Sequence, residues 1–159
     1  MLSEEELDCS ILAKLGNCIA WIFAPVGWGN WQAAVASITG LVAKENIVGT
    51  MGILYGGEET WANLAQAFTH PAGLSFLIFN LLCAPCFAAI GAIKREMNSR
   101  KWTWAAIGWQ CGFAYIVSFV VYHAYSMFTG SGNIAGFIIA ALITIAFIWA
   151  LFRRPKAVK

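Results

Sequence analysis

Charge is what this sequence has least of. Asp, Glu, Lys and Arg make up 11% of its 159 residues, where an average soluble domain carries roughly 25%. Apolar residues make up 60% and the mean hydropathy is +0.68, which places the chain among integral membrane proteins. The length allows one compact unit and little else. The net charge of +2 comes from basic residues that flank apolar runs and form no surface patch, so nucleic acid is not an expected partner. The first residues are acidic (Glu4, Glu5, Glu6, Asp8) and lack the positive n-region of a secretory signal. Five cysteines, at 9, 18, 83, 86 and 111, are odd in number and sit mostly in apolar sequence, which argues against an extracellular disulfide framework. No G-x-x-x-x-G-K-S/T occurs, so a phosphate-cradling loop and its nucleotide site are not expected.

What is present reads as helices. Eight Trp and 15 Gly suit a membrane protein, where aromatics collect at interfaces and small residues at helix contacts. Residues 4–24 repeat apolar positions at helical spacing, with acids in the first turn where the helix dipole favours them. This is an amphipathic helix against the membrane or the bundle, stopped by Pro25 and a V-G-W-G-N-W turn. Residues 32–55 are long enough to span but carry Lys44-Glu45-Asn46 at the centre, where each charge costs about 2.5–3.5 kcal/mol on insertion scales. Either a protein-lined cavity holds these charges, or the segment is two halves with a break. Residues 56–72 read as a polar loop with a short surface helix. Uncharged residues 74–93, with a central proline, form a second span; 102–128 a third; and 133–152 a fourth. The expected fold is all-α and membrane-integral, with about four transmembrane or re-entrant helices, two of them broken, plus the N-terminal amphipathic helix. Three regions follow: 1–30, the interfacial helix and turn; 31–96, the broken segments; and 97–159, two C-terminal helices and a basic tail.

Basic residues give an orientation. Lys94, Arg95, Arg100 and Lys101 fill one loop, and Arg153, Arg154, Lys156 and Lys159 the tail, while 56–72 and 129–132 hold no Lys or Arg. The positive-inside rule makes both basic segments cytoplasmic, including the C-terminus, and puts 56–72 outside. If 32–55 crosses, residues 1–31 start on the cytoplasmic face.

Interruption of two hydrophobic segments near their middles points to an ion path, because irregular backbone survives at membrane depth only where it lines a cavity or is buried in protein. Pro85 has no N–H, so a continuous helix would leave the carbonyl of Leu81 without its partner. Asn80, Cys83 and Cys86 recur at intervals of three, which in a continuous helix puts them on one face. Two thiolates, an amide oxygen and a freed carbonyl suit a transient soft or first-row metal ion. The bland alternative is that the cysteines only pack as small hydrophobes. Lys44, Glu45 and Asn46 are further path candidates by their depth, although Lys44 and Glu45 could simply neutralise each other. Gly108-x-x-x-Gly112 is a helix-contact motif, and Gln110 and Cys111 inside it face either the path or a neighbouring helix. His70 belongs to the outer loop, and His123 is expected at the membrane interface.

Two long stretches carry a resemblance. NWQAAVASITGLVAKENIVGTMGILYG (30–56) and LLCAPCFAAIGAIKREMNSRKWTWAAIGWQCGFAY (81–115) resemble the C-terminal membrane region of the ferrous iron transport protein B (FeoB) family, from its second Gate domain onward. The resemblance implies a bacterial inner-membrane, multi-pass Fe²⁺ importer with Fe²⁺ as the transported ion and no permanently bound cofactor. The family's Pro-Cys cysteine corresponds to Cys86, Cys83 matches only some members, and Lys44-Glu45 matches an A-K-E stretch. The chain would be a fragment or split subunit, without enzymatic activity of its own. The implied partners are the lipid bilayer, a GTP-binding domain and a first Gate domain, in a homo-oligomer or hetero-assembly. Two other readings remain: a membrane thiol–disulfide oxidoreductase using Cys83 and Cys86, and a non-transporting assembly or regulatory subunit.

Overall fold

The computed structural model describes residues 11–40, 42–56, 60–83, 86–130 and 132–152. Every regular element among them is helical: α1 (Ile11–Phe23), a 3-10 turn (Ala24–Val26), α2 (Trp31–Thr39), α3 (Asn46–Leu54), α4 (Thr60–Ala67), α5 (His70–Leu82), α6 (Phe87–Met97), α7 (Arg100–Phe128) and α8 (Ile134–Phe152). Residues 4–10 of the expected first helix, Glu58, Glu59, Cys9, Pro85 and the basic tail lie outside the described residues.

The punctuation follows the sequence. Pro25 converts the end of α1 into the 3-10 turn, and Gly27, at φ 90°, takes a left-handed position that L side chains avoid. Its missing Cβ also leaves room for the ring of Tyr122. Pro71 enters α5 in the first turn, where its absent N–H costs nothing. That helix stops at Leu82, ahead of the Ala84-Pro85 pair, because proline and the residue before it both disfavour a continuing helix. Asn98, left-handed at φ 45°, turns α6 into α7.

The expected span 32–55 is a helical hairpin. Asn30, just before α2, donates from Nδ2 to the Tyr55 hydroxyl just after α3, at 2.7 Å. Thr39 and Thr50 join their hydroxyls at 3.1 Å, and Gly40 has no Cβ to collide with Ile47. Both ends of the segment therefore lie on one side, and the Lys-Glu-Asn stretch forms its tip. Nine residues per helix reach about 14 Å, roughly half of a ~30 Å hydrocarbon core. A hairpin does not cross, so the inference that residues 1–31 start on the face opposite 56–72 loses its premise.

The core lies where the turn after α1 meets α5 and α7. Trp28 stacks on Phe23 (ring centroids 4.2 Å apart) and meets Phe76 edge-on at 5.0 Å. Ala33, Ala34 and Ala36 give α2 a thin buried face, and Gly16 of α1 sits against Trp31 and Val35 without room for a Cβ. Helices α5 and α7 run antiparallel and clasp each other through two buried serines. Ser75 Oγ donates to Ser118 O at 3.2 Å, and Ser118 Oγ donates to Ser75 O at 3.1 Å. Such interhelical bonds contribute about 0.6–2 kcal/mol. Ser75→Ala is expected to lower stability in detergent by that amount in a denaturant titration, and unchanged stability would contradict the clasp.

By length and composition α7 is able to cross a membrane, as are α5 and α6 together across their 40° bend. Two contacts differ from expectation. Among the described residues, Cβ atoms added at Gly108 and Gly112 would meet nothing within 4 Å, so this motif does not pack against the described helices. The tight α7–α8 contact is instead Gly136 against the ring of His123. His123 is buried between these helices, with Nδ1 3.0 Å from Phe119 O.

Candidate functional site

The two interruptions meet. Lys44, at the hairpin tip, donates from Nζ to the carbonyl of Leu81 at 2.9 Å. Leu81 belongs to the last turn of α5, where carbonyls lack intrahelical partners and the helix dipole presents partial negative charge. It is also the acceptor that Pro85 would have to serve in a continuous helix. A cation from one broken segment thus caps the break in the other. Lys44 does not form an ion pair with Glu45 among the described residues, and Glu45 and Asn46 are exposed at the tip.

Around the break the three expected ligands belong to different parts of the chain's helices. Asn80 is buried, and its Nδ2 turns back to Phe76 O in its own helix at 2.8 Å. Cys83 ends α5, its N–H donating to Phe79 O at 2.7 Å, and Cys86 is the residue preceding α6. Because the helix is interrupted between them, the shared face expected for a continuous helix does not extend to Cys86. Cys83 Sγ lies 3.7 Å from Cys111 Sγ on α7. That pairing links residues 28 apart and was not legible as a motif. Its register follows from the serine clasp: eight residues along α5 from Ser75 and seven back along α7 from Ser118 bring both thiols to one level. Gln110 is exposed on α7.

Cys83 and Cys111 line a cleft of about 540 Å³ between α1, α2, α5, α6 and α7. Its walls are mainly apolar, Ser37 contributes a buried hydroxyl without a hydrogen-bond partner, and Lys94 and Arg100 stand where α6 turns into α7. Cys86 is half-buried and is not part of this lining. Among the described residues no three His, Cys, Asp or Glu side chains gather as a metal cluster. The arrangement among the described residues is therefore open: a helix-end carbonyl capped by a lysine, a pair of neighbouring thiols and a cleft, without a closed cage.

Residues 7–100, which include both breaks, match the Gate family model, described as nucleoside recognition. The chain belongs to that family, and its curated relatives there are FeoB proteins. It is 36% identical over 124 residues to the Fe(2+) transporter FeoB of Staphylococcus aureus, covering 77% of this chain and 19% of that protein. To the Fe(2+) transporter FeoB of Methanocaldococcus jannaschii it is 37% identical over 116 residues, 70% of this chain and 17% of that one. A Fe(2+) transport protein A/Fe(2+) transporter FeoB fusion protein of Porphyromonas gingivalis is 30% identical over 135 residues, 74% of this chain and 16% of that one. The chain thus spans about a fifth of the length of the curated relatives it matches. No solved structure matches it significantly.

Proposed function

We propose that this chain is the membrane part of a bacterial ferrous iron importer and forms part of the Fe²⁺ path. The observation that carries the reading is the Lys44–Leu81 contact at 2.9 Å, which brings the breaks of two interrupted segments to one place. Carbonyls released by a broken helix are tolerated at membrane depth where they line a path or are buried in protein, and the Leu81 carbonyl already draws a cationic group, the Lys44 ammonium. The curated relatives are named as Fe(2+) transporters, and the chain's thiols suit a borderline-soft ion that must also leave again.

In this reading the hairpin enters from the outer side together with residues 56–72, and its tip stops at the break between α5 and α6. The cleft continues from Cys83 and Cys111 toward Lys94 and Arg100, whose loop is cytoplasmic by its positive charge. The chain sits in the inner membrane with its C-terminus in the cytoplasm. Fe²⁺ is cargo and not a resident cofactor. Cys86, Cys83 and Asn80 are the first candidates for transient contact. Lys44 positions the break, and the GTP-binding domain and first Gate domain are the assembly partners.

The test is accessibility. In the assembled transporter, modification of Cys86 by a membrane-impermeant maleimide added outside is followed by peptide mass spectrometry. Fe²⁺ is expected to slow it, and Mg²⁺, a poor thiolate partner, is not. Equal rates with and without Fe²⁺ would contradict a path past Cys86.

A further inference from the structure

We propose that Cys83 and Cys111 form a two-thiolate capture site for a single soft divalent cation of the Zn²⁺ or Cd²⁺ type. The site differs from a Cys83-x-x-Cys86 chelate. The separation is the first reason. Two thiolates bound at about 2.3 Å to one tetrahedral ion stand about 3.8 Å apart, and these sulfurs are 3.7 Å apart. An ion of this kind therefore enters between them with little movement of either helix.

The scaffold supports that spacing. One sulfur is at the end of α5 and the other is in the middle of α7. The reciprocal Ser75–Ser118 bonds hold those two helices in register. Access is the second reason, because both cysteines line the 540 Å³ cleft. That space admits solvent ligands to complete a coordination shell, since a water occupies about 30 Å³. Charge is the third. Two thiolates neutralise a divalent cation, so the bound unit carries no net charge in a mainly apolar cleft, where a bare ion would be costly. Both thiol protons leave to solvent on binding. Sulfur ligands and the usual affinity order rank Zn²⁺ above Fe²⁺ at such a site. An ion held here would occupy the same cleft that the proposed iron path uses. The site shares Cys83 with that path but depends only on sulfur spacing, access and charge, so it holds or fails independently of iron transport.

The test titrates Cd²⁺ into the full chain in detergent under a phosphine reductant, reading the ultraviolet thiolate-to-cadmium charge-transfer band. One Cd²⁺ per chain is expected. Cys83→Ser and Cys111→Ser are each expected to weaken binding by at least about tenfold, since even outer-shell changes at metal sites cost 10–100-fold. Cys18→Ser, on the exposed face of α1, is expected to leave it unchanged. Parental affinity in Cys111→Ser would overturn the proposal, as would a loss in Cys86→Ser as large as that in Cys83→Ser. A readout without variants keeps the test independent of folding. A short bifunctional thiol reagent is expected to bridge Cys83 to Cys111 in the parent chain, and Cd²⁺ to block it. A Cys83–Cys86 bridge in its place would overturn the proposal.

Discussion

Lys44→Met is expected to lower Fe²⁺ uptake by the assembled transporter about 10- to 100-fold, and Lys44→Arg to retain most of it. The magnitude comes from the bond at the break. A hydrogen bond from a charged donor contributes about 1.5–3 kcal/mol, and 1.4 kcal/mol is a factor of ten in an equilibrium. Methionine keeps the length of lysine but removes the ammonium that meets Leu81 O at 2.9 Å. The carbonyl is then unpaired, and the tip loses its hold on the end of α5. Arginine restores a cationic donor. The environment decides the size of the effect. In water an exposed Lys44 would exchange the carbonyl for solvent at little cost, as exposed ion pairs do. At membrane depth, where the proposed path places this tip, no such exchange would be available. Uptake of Fe²⁺ into proteoliposomes measures it, and a parental rate in Lys44→Met would mean that the two breaks act independently.

The helices were largely legible because proline, glycine and polar breaks are local. Pro25 ends α1, Lys44 and Glu45 lie between α2 and α3, and α5 stops at Leu82 ahead of the Ala84-Pro85 pair, each at an interruption the sequence signals. Whether 32–55 crosses or turns back was not legible. Hydropathy counts apolar length and is blind to the Asn30–Tyr55 bond that closes the hairpin across 25 residues. The small-residue motif misled for a related reason. Gly108 and Gly112 announce a close approach, but a sequence does not say against what, and among the described residues nothing comes within 4 Å of a Cβ added there. The burial of His123 was not legible, because it depends on Gly136, on the next helix, making space for the ring.

At the site, the chemistry of proline was more informative than the spacing of the cysteines. The absence of an N–H on Pro85 singled out Leu81 O as the acceptor in need of a partner. The structure supplies Lys44, a residue already singled out for its depth. The face shared by Asn80, Cys83 and Cys86 assumed an unbroken helix, the very thing that the same proline prevents. Once the helix breaks, spacing by three no longer sets direction, and Cys83 finds Cys111 on another helix.

The central claim is that the capped break, with its proline-linked cysteine, is a place iron passes. Cys86 precedes α6 directly after the break, so replacing its sulfur with oxygen alters a candidate ligand and leaves both helices intact. Loss of a metal contact is expected to cost no less than the 10–100-fold seen for changes in the outer shell of metal sites. The measurement is initial Fe²⁺ uptake by the assembled transporter in proteoliposomes, with Cys86→Ser beside the parent and membrane insertion matched. The account predicts uptake lower by at least about tenfold at equal insertion; uptake equal to the parent would contradict it.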